Sequence, residues 1–182
     1  MAEIVKTYMQ HMPASRFIGK RYGDEDRVDG YFMAQWEKWF ENGWFEIIEK
    51  AAMISPEAFF EDGGAYIGLM HAEEGKPFQY WIGMFVSEDT KVPEGFESIS
   101  FPAMELGVCW VYGREATGEI YGHEQGCLRK LEEAGISCKA ATDGIWTCFE
   151  RYACPRFTKP DEKGNCILDI CFVRDTLEIK EL

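Results

Sequence analysis

The sequence predicts an α+β fold: a tandem β-β-α-β-β repeat with pseudo-twofold symmetry, built as one antiparallel sheet of about eight strands with helices packed on one face. Three observations predict it. The stretch MPASRFIGKRYG, from Met12 to Gly23, returns 89 positions later as FPAMELGVCWVYG, from Phe101 to Gly113. Each copy is followed by a polar turn, a helical stripe and a hairpin, in that order. Half of a 182-residue chain is also too small to bury a good core alone, so the two copies must share one. The chain therefore reads as a single domain over 1–182, with a first repeat at about 1–88 and a second at about 95–175.

The elements follow in order. After the first motif comes an acidic turn, DEDRVDG, and then Phe32, Trp36, Trp39 and Phe40 at i, i+4, i+7 and i+8, the apolar stripe of a helix. Asn42-Gly43 caps or kinks it, and Trp44, Ile47 and Ile48 begin a second stripe. SPEAFFEDGG breaks the helix. AYIGLMHA and FQYWIGMFV, separated by EEGKP, form a hairpin. In the second half, REATG leads to a helix in EIYGHEQGCLRKLEEAG, stopped by Gly135, and TDGIWTCFERY and NCILDICFV form the matching hairpin. Gly64-Ala65-Tyr66 aligns with Gly144-Ile145-Trp146 at an offset of 80, and Phe85-Val86 with Phe172-Val173 at 87. Two halves joined this way leave a groove on their axis, between the helices, where small-molecule pockets tend to form.

Composition narrows the function. Hydrophobic content of 46% excludes disorder. Acids outnumber bases 32 to 19, for a net charge of −13, the wrong sign for gripping a phosphate backbone, so no nucleic-acid partner is expected. No run is long enough for a membrane helix and the first residues lack a signal-peptide core, which predicts a cytoplasmic protein without a membrane partner. The seven cysteines contain no C-x-x-C pair and the three histidines no ligand-like spacing, so neither disulfide, metal nor other cofactor is expected.

The stretch from Tyr66 to Gly113, followed by CLRKLEEAGISC and WTCFERY, resembles the GyrI-like small-molecule-binding family. That family is also the effector-binding domain found behind the DNA-binding helices of AraC-type and multidrug-sensing regulators. The resemblance rests on Phe78-x-Tyr80-x-x-Gly83-x-x-Val86, on Pro93, on Pro102-Ala103 with Gly113, and on Phe149-Glu150-x-Tyr152, and it spans roughly residues 63–173. It implies a tandem repeat of strand-helix-strand-strand units, in agreement with the repeat read above. WFEIIEKAAMISPEAFF departs from the family as an insertion, and CILDICFVRD lacks its usual proline. Strand-like sequence beginning at Glu3 leaves no room for a helix-turn-helix, so a stand-alone copy is expected.

Glu150 is the leading site residue. A strand glutamate beside an arginine is ordinarily a solvated charge. Here, however, Trp146, Cys148 and Tyr152 share its face, and the resemblance implies a glutamate on the pocket floor. In the repeat alignment Glu150 falls opposite Met70, which suits a ligand with one polar end against a soft apolar wall. Trp36, Tyr66, Trp110, Tyr112, Trp146 and Tyr152 complete the candidate lining, while His71 and His123, beside loops, are read as exposed and carry no role. The expected function is capture of hydrophobic, aromatic or cationic compounds, drawn by the carboxylate and by ring faces. The resemblance implies an alternative, a detoxifying hydrolase of cyclopropane-bearing DNA-alkylating compounds. There Glu150 would be general base and Tyr152 the proton donor.

Overall fold

The computed structural model describes residues 1–138, 146–174 and 180–181. Runs rich in β-branched and aromatic residues build eight strands: β1 (Glu3–Met12), β2 (Ser15–Tyr22), β3 (Tyr66–Ala72), β4 (Gln79–Ser87), β5 (Glu97–Phe101), β6 (Met104–Arg114), β7 (Trp146–Tyr152) and β8 (Asn165–Val173). A two-residue β9 (Lys180–Glu181) pairs with β5. All belong to one sheet in the order β1-β6-β8-β7-β3-β4-β2-β5-β9, with antiparallel pairings throughout. Exchanging β1–β4 with β5–β8 makes the order of these eight read the same backwards. The axis of that exchange falls between β3 and β7. There Leu69 pairs with Phe149, at the offset of 80 that the sequence alignment uses. The aligned Gly144 and Ile145 lie outside the described residues.

The repeated Pro-Ala pair now has a physical reason. Pro13-Ala14 joins β1, first in the sheet order, to β2, seventh; Pro102-Ala103 joins β5, eighth, to β6, second. A two-residue link reaches about 11 Å, whereas six strand spacings in a flat sheet are about 29 Å. The sheet must therefore curl until its opposite ends meet. Its inner face is lined by Phe17, Ile67, Leu69, Trp81, Phe85, Phe149, Leu106 and Val108 in one core, which Phe60 also packs against.

The helices lie on the outer face. α1 (Met33–Glu41) and α2 (Trp44–Ala51) are separated by Gly43, whose φ of 60° few other residues adopt without strain. They bury Trp39, Phe45 and Ile48 against Ile18, Tyr80, Ile82, Met84 and Val86. The SPEAFF stretch, expected only to break the helix, forms one further turn, α3 (Pro56–Phe59), because Pro56 is preset for a first helical position. α4 (Glu124–Glu133) starts later than its apolar stripe suggests, since Gly122 holds a left-handed φ of 75°. It buries Cys127 and Leu131 against Cys109, Val111, Leu168, Ile170 and Phe172. No described helix is long and apolar enough to cross a membrane.

Candidate functional site

Strand alternation sends Gly68 and Met70 on β3, and Cys148, Glu150 and Tyr152 on β7, to the outer face astride the axis. Gly68 pairs with Glu150 and Met70 with Cys148. This is the seam between the two outer cores, and Met70 packs against both. Gly68 is required here. A Cβ would stand 2.5 Å from the Tyr80 hydroxyl and 3.3 Å from Cζ2 of Trp36, so the absent side chain is the space those two rings occupy.

Glu150 accepts a hydrogen bond at Oε2 from the Tyr152 hydroxyl, at 2.8 Å. Among the described residues no basic side chain pairs with it. Burial pushes its carboxyl up to about 7, the Tyr152 bond opposes that rise, and the charge of Glu124 adds to it. Yet the side chain keeps part of its surface open to solvent. This carboxyl is thus deep among its neighbours and still reachable from solvent.

The surroundings are aromatic. The Trp36 ring meets Tyr152 edge-on at 4.9 Å, and its indole N–H donates to the Tyr80 hydroxyl at 3.0 Å. Tyr80 is itself stacked on Phe32 at 4.1 Å. Phe157 closes on Tyr152 edge-on at 4.8 Å. Tyr66, directly across the strand pair from Tyr152, stacks face to face on Phe45 at 3.6 Å. Burial, followed by the Glu49 carboxylate, raises its hydroxyl to about 12. Tyr80, Tyr121 and Tyr152 all titrate well above the ordinary range, chiefly from burial and in part because each feels Glu150. All remain protonated near neutral pH, so neutral phenols surround one carboxyl.

Of the residues expected to line a groove, Glu150, Tyr152, Met70, Trp36, Tyr66 and Trp146 share this outer face, with Trp146 packed beside Phe78. Trp110 and Tyr112 do not. They point to the inner face of β6, where Trp110 meets Tyr8 edge-on and Arg156 lies 4.9 Å from its ring. Tyr112 donates a hydrogen bond to Asp161. His71, expected to be exposed, is buried on the inner face, with Nδ1 2.9 Å from the hydroxyl of Thr147, its cross-strand partner. Phe40, read with Trp36 and Trp39 as part of one core stripe, is 60% exposed beside Tyr66. The site residues missed from sequence are Tyr80, Tyr121 and Phe157. Only Tyr80 carried a signal, as the second aromatic of Phe78-x-Tyr80, on the strand face it shares with Ile82 and Met84.

No family model matches the chain, and no curated protein matches it in sequence. Solved structures do. SAV2435, solved bound to tetraphenylphosphonium, is 13% identical with a TM-score of 0.62, covering 96% of each chain. A Staphylococcus aureus MU50 protein described as a bacterial transcription regulation protein is also 13% identical, with a TM-score of 0.57, covering 94% of this chain and 99% of its own. At such identities the likeness is one of fold: this chain shares the antiparallel α+β architecture of those two proteins over nearly its whole described length.

Proposed function

We propose that the protein binds hydrophobic cations, aromatic ones above all, in the recess over the β3–β7 seam, as a module of the GyrI-like kind. One observation carries the reading. Glu150 lies deep among rings, still reachable, without a basic partner among the described residues. A buried carboxylate without a counter-charge is costly, and a cation that sheds its water against ring faces offsets that cost. Because SAV2435 was solved with tetraphenylphosphonium, that cation is the natural probe. Titration by calorimetry at pH 8 should give binding that Glu150→Gln weakens by about 1.5–3 kcal/mol, the range for an interaction with a charged group. A neutral ligand of similar shape should be little affected. Equal affinity of wild type and variant for the cation would refute the reading.

The hydrolase reading draws on the same geometry, since a carboxyl near pH 7 is suitably poised for a general base. Against it, the Tyr152 hydroxyl already donates a hydrogen bond to Glu150. A proton donor to a substrate oxygen would first have to leave that bond. Turnover of a cyclopropane-bearing alkylating compound that Glu150→Gln abolishes, with binding retained, would favour this reading over simple capture.

A further inference from the structure

Behind the recess, on the inner face, lies a cluster of charges that ligand binding does not use. Arg151 and Asp169 are cross-strand partners on β7 and β8 and are almost completely buried. Arg151 donates Nε to Asp169 at 2.7 Å, Nη1 to the Gln10 side-chain oxygen at 2.7 Å and Nη2 to the Tyr8 hydroxyl at 3.2 Å. Arg156, in the β7–β8 connection, bridges two carboxylates. It donates Nε to Asp169 at 2.8 Å, Nη1 and Nη2 to Asp62 at 2.8 and 2.7 Å, and Nη2 also to Asp169. Gln10 completes the circuit by donating its amide to the Glu61 carbonyl at 3.1 Å. Asp62, whose backbone is left-handed at φ 65°, is thus gripped by its carboxylate while the residue before it is gripped by its carbonyl.

The three anchored segments are the ones that build the recess. Arg151 stands between Glu150 and Tyr152, Arg156 precedes Phe157, and Asp62 lies four residues before Tyr66, at the junction of the helical arm with β3. We propose that Arg156, with Asp62 and Asp169, is a positioning device that fixes the Glu150–Tyr152 floor, Phe157 and the Tyr66 wall relative to one another from the opposite side of the sheet. Trp110 belongs to this device as the ring beneath the Arg156 guanidinium. The planar fork of arginine is essential to it, because only a guanidinium reaches both carboxylates at once. If the fork is lost, the loop bearing Phe157 loosens, more water reaches Glu150 and part of its desolvation is relieved.

The inference rests on the recess described above, but one test needs no ligand. Carbon-13 NMR of labelled glutamate side chains would follow the Glu150 carboxyl in wild type, Arg156→Lys, Arg156→Gln and Asp62→Asn. The groups facing Glu150, namely Tyr80, Tyr121, Tyr152 and Glu124, are unchanged in all of them. The Glu150 midpoint should fall by about one pH unit or more in Arg156→Gln, as desolvation is relieved. Asp62→Asn should move it the same way, and Arg156→Lys should resemble Arg156→Gln rather than wild type. Tetraphenylphosphonium affinity should fall about tenfold in parallel, mid-range for couplings through shared contacts. If the midpoint stays put in folded Arg156→Gln and Asp62→Asn, the device is only structural and the proposal is overturned; if Arg156→Gln does not fold, Asp62→Asn and Arg156→Lys decide it. Should wild type bind no cation while the midpoint moves as stated, the binding reading fails and the positioning role stands.

Discussion

Replacing Glu150 by glutamine should change the pH dependence of stability in a direction opposite to that of an ordinary salt-bridged acid. Burial raises the Glu150 carboxyl from the ordinary 4.5 to about 7, so the folded chain holds this proton more tightly than the unfolded chain does. Its contribution is fully favourable below about pH 4.5 and is lost as pH rises through 7. A rise of about 2.5 units at 1.36 kcal/mol each is about 3 kcal/mol, an upper value because part of the side chain still meets water. Glutamine keeps an oxygen to accept the Tyr152 bond and does not titrate. Its stability relative to wild type should therefore climb by about 2–3 kcal/mol between pH 5 and pH 8. Urea denaturation of both proteins across that range measures the difference directly, and groups common to both cancel. A difference that stays flat with pH would mean that Glu150 is an ordinary solvated carboxylate, and the recess would lose its defining feature.

Gly68→Val should destabilise the protein by about 1–3 kcal/mol, the usual cost of overpacking, because its Cβ falls 2.5 Å from a Tyr80 hydroxyl that the Phe32 stack holds in place. An unchanged urea midpoint would show that the rings above Gly68 yield freely. A thiol reagent should label Cys154 first in the folded protein, since it is exposed, while buried Cys109, Cys127, Cys148, Cys166 and Cys171 react only on unfolding. Denatured, unreduced protein should then yield seven thiols; fewer would reveal a disulfide.

The outer-face strands were legible because period-two alternation states which residues travel together. Trp146, Cys148, Glu150 and Tyr152 share a face by arithmetic alone. Alternation does not say which of two buried faces that is. Both faces of the curled sheet are apolar, as β6 shows with Leu106, Val108 and Trp110 on one side and Cys109 and Val111 on the other. Pattern alone therefore groups Trp110 and Tyr112 with Glu150, although they face the opposite side of the sheet. Register was equally invisible. His71 looks like a loop-side residue until Thr147 is known to stand opposite, and Arg151 like a surface charge until Asp169 does. The Pro-Ala repeat marked the ends of strands, but only the sheet order explains why both copies need so abrupt a link.

The same symmetry that makes the sheet shows why its floor is chemically lopsided. At the offset of 80, Gly68 corresponds to Cys148, Met70 to Glu150 and Ala72 to Tyr152. One half thus supplies the carboxyl and the phenol that bonds it, while the other supplies space, a thioether and a methyl group. Two carboxyls flanking the axis would repel each other, and the pair would hold a shared proton in place of an available charge. With Met70 opposite, the single carboxyl faces a deformable apolar surface, and Gly68 leaves room for Trp36 and Tyr80 to lean over the axis. On the proposed reading, a ligand seated there would meet charge on one side and polarizable apolar surface on the other, so its orientation would be dictated by where its own charge lies. Specificity of that kind would reject anions and tolerate varied apolar shapes, because one desolvated carboxyl would set the sign while rings and a thioether would set only an approximate volume.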